Sequence, residues 1–239
     1  MKITKPSKSF KTSLTPGSSK SLKDKIYKVI CAGSVSALKK KTEKENGNLE
    51  IRADYMPAAD IPLILATKFK NKTIFTCRSK AEGGVFKGNE KERVAILKSA
   101  PAAGFNYVDI ELETIKKHKM SFNKKEREKL IISFHNFKHS YSMAGLVKIK
   151  REMQKYKPAV IKIAVMPETQ KEIFVLTGFL MDTIEEGQKI ILIAMGSRAA
   201  FTRVLFPELG SFATYACAGK AVAPGQLSIK DFNKIMEII

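Results

Sequence analysis

At 239 residues and 44% hydrophobic content, the chain can bury a sizeable core, and its length suits one large α/β domain better than two average ones. Its formal net charge of +20 invites a nucleic-acid partner, but the lysines are spread over Lys39, Lys40, Lys41, Lys116, Lys117, Lys124, Lys125, Lys148 and Lys150, on segments that read as solvated faces without interleaved aromatics. No apolar run approaches the roughly 18 residues of a membrane span, and the N-terminus lacks the apolar stretch of a secretory signal, so a soluble cytoplasmic protein with no membrane partner is expected.

Residues 1–24 are polar and rich in Lys and Ser, and are expected to form a loose basic arm or short hairpin covering one end of the domain at 25–239. From residue 27 onward, β-rich runs alternate with segments of helical period. The runs fall at 27–31, 49–54, 73–78, 107–112, 130–135, 159–164, 189–195 and 211–216. Helices are predicted near 34–45, 59–70, 89–102, 140–156, 168–184 and 228–238, with weaker patterns near 113–127 and 199–206. Gly104 and Gly187 stop helices ahead of strands. Eight such units in one domain predict an α/β fold, a (β/α)8 TIM barrel, whose strands should read as apolar runs. A doubly wound open sheet is the alternative, but no Gly-rich phosphate fingerprint follows the first strand.

Three cysteines, Cys31, Cys77 and Cys217, have no CxxC spacing and read as ordinary reduced thiols, giving no disulfide framework and no metal site.

Charged residues inside strands that should be buried carry the strongest functional signal. Glu50, Arg52 and Asp54 alternate along one strand and so share a face. Thr76 with Arg78, Asp109 with Glu111, Ser133 with His135, and Lys162 alone repeat this on the next four strands. Buried charges are costly unless paired, so such a cluster is a satisfied network, an active site, or both. Asp54, Arg78, Glu111, His135 and Lys162 fall near the C-terminal strand ends, where barrel enzymes keep their chemistry. Lys162, flanked by Ile161 and Ile163, suits an imine-forming nucleophile; otherwise it is a buried lysine paired with Glu50, Asp54 or Glu111. Beside it, His135 suits general acid and base work, although a lone histidine is more often structural.

Glu50-Ile51-Arg52-Ala53-Asp54, Thr76-Cys77-Arg78 with Glu82-Gly83-Gly84, Val108-Asp109-Ile110-Glu111-Leu112, Ser133-Phe134-His135-Asn136-Phe137, Lys162-Ile163-Ala164, Met195-Gly196, Gly210-Ser211 and Ala223-Pro224-Gly225-Gln226 follow in this order. In that order and spacing the chain resembles the type I 3-dehydroquinate dehydratases of the shikimate pathway over residues 31–226. The resemblance implies dehydration of 3-dehydroquinate to 3-dehydroshikimate through a Schiff base on Lys162, with His135 as general acid and base and Glu82 orienting it, and with no metal or organic cofactor. It implies that Arg203, ahead of Arg198, holds the substrate carboxylate. By the same resemblance Glu50, Arg52 and Arg78 hold ring hydroxyls and Gln226 folds over the bound substrate; the alternative for the arginines is pairing with inward carboxylates.

Val222 stands where many members have a serine, which leaves one lid contact unfilled. Ala199, Thr202 and Ile51 also depart from the pattern. Barrels of this family are often dimers, which allows a homodimer, but no patch in the sequence establishes one. Two other readings remain: a different lysine-imine barrel, such as a class I aldolase acting on a phosphorylated sugar, and a basic scaffold that associates with nucleic acid.

Overall fold

The computed structural model describes residues 21–219 and 221–238. After a single turn of helix, α1 (Leu22–Lys25), the strands β1 (Ile26–Cys31), β2 (Asn48–Arg52), β3 (Thr73–Thr76), β4 (Tyr107–Glu111), β5 (Leu130–Asn136), β6 (Val160–Val165), β7 (Ile190–Ala194) and β8 (Thr214–Cys217) follow in order. They form one parallel eight-stranded sheet in which β1 pairs with both β2 and β8. The remaining seam, between β7 and β8, is bridged mainly through Ser211. Its Oγ accepts from the Leu192 amide at 3.2 Å and donates to the Ile190 carbonyl at 3.3 Å, while the Phe212 amide donates to that same carbonyl at 2.7 Å. The sheet is thereby a nearly closed barrel, and the doubly wound alternative is excluded.

The α-helices that follow are α2 (Val35–Glu43), α3 (Ile61–Leu65), α4 (Glu90–Ser99), α5 (Leu112–Lys117), α6 (Lys124–Arg127), α7 (Met143–Gln154), α8 (Gln170–Glu185), α9 (Thr202–Glu208) and α10 (Ile229–Met236), with short 3-10 turns between some of the elements. Capping boxes start α4, α6, α8 and α10, at Asn89, Asn123, Thr169 and Ser228. No helix among the described residues is long and apolar enough to cross a membrane.

Two helical expectations are corrected. The segment 59–70 is helical only through Leu65, because the Asn71 side-chain Nδ2 donates to the carbonyls of Glu45 and Gly47 and ties the following stretch back as a loop. The segment 113–127 is two short helices. Lys119 adopts left-handed φ of 47°, and the Met120 amide turns back to the Ile115 carbonyl at 3.0 Å, closing α5 before Asn123 starts α6. The eighth strand begins at Thr214, three residues later than expected, since Ser211 and Phe212 are spent on the seam. Residues 1–20 of the expected N-terminal arm lie outside the described residues.

Strand alternation sorts the core into two layers. Ile51, Phe75, Val108, Ile110, Ile132, Ile161, Ile163 and Leu192 face the helices. Tyr27, Val29, Ile74, Ile131, Val160, Ile191 and Ala213 fill the lumen. The lumen is apolar at the N-terminal strand ends and charged from mid-strand to the C-terminal ends, where Glu50, Arg52, Asp109, Glu111, Ser133 and Lys162 are all buried. The apolar floor confines the charges to one mouth.

Candidate active site

Lys162, 5% exposed, stands in the middle of β6 with its Nζ inside the barrel. Its ammonium donates to Asp109 Oδ2 at 2.9 Å, lies 3.6 Å from Glu50 Oε1 and sits 4.2 Å above the Tyr215 ring centroid. The partners anticipated for a buried lysine were Glu50, Asp54 or Glu111; Glu50 is one, Asp54 and Glu111 are committed elsewhere, and Asp109 is the nearer anion. Burial alone would raise the Asp109 carboxyl, but Arg78 and Lys162 together hold it well below the carboxylate range.

Arg78 lies two residues beyond the end of β3. Its Nη2 donates to Asp109 Oδ2 at 2.6 Å, and its Nη1 to Ser133 Oγ at 2.7 Å and Glu111 Oε1 at 3.1 Å. Ser133 in turn donates to Asp109 Oδ1. Arg52 engages Asp54 with both forks, Nε and Nη2, each at 2.7 Å, and Asp54 also accepts from the Val85 amide at 3.2 Å. Both arginines line the cleft, and both are paired with carboxylates. Glu50 accepts from Thr76 at 3.0 Å and keeps an edge toward the cleft.

His135 rises from β5, and its Nδ1 lies 2.7 Å from Glu82 Oε2, which also accepts from the His135 backbone amide at 3.0 Å. Glu82 ends a 3-10 turn, Lys80–Glu82, that can lie against the barrel because Gly84 has no side chain. A Cβ there would come 2.0 Å from the Arg78 carbonyl oxygen. The Phe137 ring stacks on His135 at 6.3 Å between centroids. Burial, reinforced by the positive charges of Arg78 and Lys162, pushes His135 well below its usual value, and burial raises Glu82 to about 8. The imidazole is thus held neutral, as a base needs to be.

Arg203 comes from α9 and is 3% exposed. Its Nη2 donates to the Pro224 carbonyl at 3.2 Å, its Nε has no partner, and among the described residues no carboxylate lies within ion-pair reach. Burial lowers it to about 10. Unlike Arg52 and Arg78, this cation meets the cleft without an anion. Arg198 is exposed and lines a separate groove with Phe174 and Phe201.

The loop after β8 closes over this end. Gly225 has φ of 68° and passes so close to the loop after β7 that a Cβ would meet the Gly196 oxygen at 2.3 Å. Gln226 accepts from the Val222 amide at 2.9 Å, and both line the cleft. The cleft, about 540 Å³ with its mouth, therefore collects every site residue predicted from sequence: Glu50, Arg52, Arg78, Glu82, His135, Lys162, Arg203 and Gln226. Tyr215, whose ring lies beneath the Lys162 ammonium, carries no signal in the sequence beyond that of an ordinary strand aromatic. Among the described residues no group of three or more His, Cys, Asp or Glu side chains is arranged to hold a metal ion, and Cys31, Cys77 and Cys217 are free thiols.

The sequence model of the type I 3-dehydroquinase family matches residues 34–239. The chain belongs to that family. It is 34% identical over 199 residues to a 3-dehydroquinate dehydratase of Lactococcus lactis, covering 80% of this chain and 85% of that protein. It is 30% identical over 227 residues to one of Methanosarcina barkeri, covering 90% and 94%. In structure it resembles the 3-dehydroquinate dehydratase of Geobacillus kaustophilus with a TM-score of 0.75 and 26% identity, over 89% of this chain and 90% of that one. Family membership displaces the aldolase and nucleic-acid scaffold readings, and gives the paired charges of the barrel mouth a common context.

Proposed function

We propose that the protein dehydrates 3-dehydroquinate to 3-dehydroshikimate in the shikimate pathway, through a Schiff base on Lys162. The observation that carries this reading is the buried Arg203, without an anion among the described residues, in the same cleft as an imine-capable lysine and a neutral histidine. A substrate bearing one carboxylate supplies the charge that Arg203 lacks, at a site where desolvation strengthens the pairing.

With the carboxylate on Arg203, the Lys162 amine adds to the C3 ketone and water departs, leaving an iminium. Lys162 first gives its ammonium proton to the neutral His135, which passes it on to the departing water; the loss releases Asp109, which Arg78 and Ser133 continue to hold. The iminium draws electrons from the neighbouring C2–H bond. His135 takes that proton, the C1–C2 double bond forms, and the C1 hydroxyl leaves with a proton from His135. Water then hydrolyses the iminium, returning the free amine and the enone product. Glu82 fixes the imidazole through Nδ1, which leaves Nε2 as the working nitrogen. Arg52, Arg78 and Glu50 offer edges to ring hydroxyls, and the loop bearing Gln226 excludes water.

The test is conversion of 3-dehydroquinate, followed as the rise of conjugated-enone ultraviolet absorbance. Turnover by the wild type and its loss in both Lys162→Ala and His135→Ala supports the reading. A folded wild type that leaves 3-dehydroquinate unchanged rules it out.

A further inference from the structure

Arg93 lies on α4, outside the cleft, yet it is 1% exposed and makes five hydrogen bonds. Two go from Nε and Nη2 to the carboxylate of Glu90, at 2.8 and 2.7 Å, and Nη2 also reaches Thr114 Oγ1 at 2.7 Å. Its Nη1 donates to the Cys77 carbonyl at 2.7 Å and to Glu111 Oε2 at 3.0 Å. Glu111 is therefore held at both oxygens. Oε2 accepts from Arg93 and Thr114, and Oε1 from Arg78 and the Ser79 amide. The ion pairs then run without interruption from Glu90 through Arg93, Glu111, Arg78 and Asp109 to Lys162.

We infer that Arg93 is a positioning residue for the proposed imine chemistry: by holding Glu111 from behind, it lets Arg78 stay on Asp109, and so limits how tightly Asp109 binds Lys162. The inference rests on the Lys162 reading above. Arg78 sits between two carboxylates and its donors are finite. With Arg93 present, Glu111 is already neutralised from the helix side, so Arg78 keeps its short bond to Asp109 Oδ2, the oxygen that also accepts from Lys162. Without Arg93, Glu111 has one cation left and draws Arg78 toward itself. Asp109 is then left to Ser133 and Lys162, and its undivided charge favours the ammonium over the nucleophilic amine. The other groups facing Lys162 are Glu50 from β2, His135 from β5 and Tyr215 from β8, alongside Asp109 from β4 and Arg78 from beyond β3. None of Glu50, His135 or Tyr215 is among the hydrogen-bond or ion-pair partners of Arg93, so none takes its place on Glu111.

The test compares wild type, Arg93→Met, Arg93→Lys and Leu97→Ala, the last removing a buried apolar side chain from the same helix. Each protein is reductively methylated with formaldehyde and cyanoborohydride across a pH series. Labelling of Lys162 is mapped by peptide mass spectrometry against an exposed lysine such as Lys148. The expected result is a displacement of the Lys162 profile to higher pH in Arg93→Met, about tenfold slower labelling at pH 7 for one unit of displacement. A smaller displacement is expected in Arg93→Lys, which keeps the charge but not the fork, and none in Leu97→Ala. If Arg93→Met does not fold, Arg93→Lys carries the comparison alone. Superimposable Lys162 profiles in the folded Arg93 variants would overturn the inference, as would an equal displacement in Leu97→Ala. Dehydration kinetics on the same proteins separate the two claims: a wild type inactive on 3-dehydroquinate with displaced labelling in Arg93→Met sinks the proposed function and leaves the relay standing.

Discussion

Lys162 and Arg78 donate to the same oxygen, Asp109 Oδ2, at 2.9 and 2.6 Å. The lysine is thus one of two cations on an anion that has a further partner in Ser133, and it can leave without stranding Asp109, while buried Glu50 keeps its hydrogen bond from Thr76. Replacing Lys162 with Ala should abolish turnover, by roughly 10³-fold or more. The melting temperature should stay within a few degrees of wild type. Steady-state kinetics with thermal denaturation checks this, and a variant that unfolds at ambient temperature would contradict the shared-anion account.

Arg203 presents the opposite case, a buried cation with no anion among the described residues. Replacing it by Leu should stabilise the unliganded protein by on the order of 1 kcal/mol, because an uncompensated charge is removed from a dry site. The same change should raise KM about 10- to 100-fold, the worth of a charge-assisted hydrogen bond. Urea unfolding and initial-rate kinetics read the two effects separately. A destabilised variant with unchanged KM would show that Arg203 serves the fold and not the substrate.

Glu82 supplies a pH dependence of known sign. Its folded value is raised by burial from 4.5 to about 8, so the fold favours its protonated form. The stability it contributes is present below about 4.5 and lost as pH rises toward 8. Glu82→Gln is neutral throughout and escapes that loss, so its stability relative to wild type should improve steadily between pH 5 and pH 8. The change should be at most a few kcal/mol, at about 1.4 kcal/mol per unit, since His135 titrates beside it. Denaturant melts at unit pH steps measure the gap; a gap that stays flat, or narrows with rising pH, contradicts the burial argument.

Gly225 tests the loop over the cleft. An alanine there combines left-handed φ with a Cβ 2.3 Å from the Gly196 oxygen, so the loop must move and take the Pro224 carbonyl from Arg203. The cost should be about 1–2 kcal/mol, with kcat/KM falling roughly tenfold. Unchanged kinetics would detach this loop from the reaction.

The barrel was legible because its strands are long apolar runs interrupted by charges of a single parity, and parity alone brought Glu50, Arg52, Asp109, Ser133 and Lys162 to one lumen. Glu82 was not legible that way. It sits on a 3-10 turn with no periodicity, and only the Glu-Gly-Gly resemblance singled it out. The pairing of Lys162 with Asp109, rather than Asp54 or Glu111, depends on strand register, which no single strand reveals. Arg93 reads in the sequence as an ordinary helix charge, although it lies four residues from Leu97 and seven from Ala100, both buried. A cation on that apolar stripe was the available signal. The break at Lys119 is not legible in the sequence, because the left-handed position is a lysine with no glycine or asparagine to mark it.

The most direct test of the account is the intact mass of the protein incubated with 3-dehydroquinate and borohydride, with peptide mapping and Lys162→Ala in parallel. A reduced product adduct is expected on the wild type, located on Lys162, and none on the variant. A folded, substrate-converting wild type that yields no adduct, or one that carries it on another lysine, would contradict the imine at Lys162.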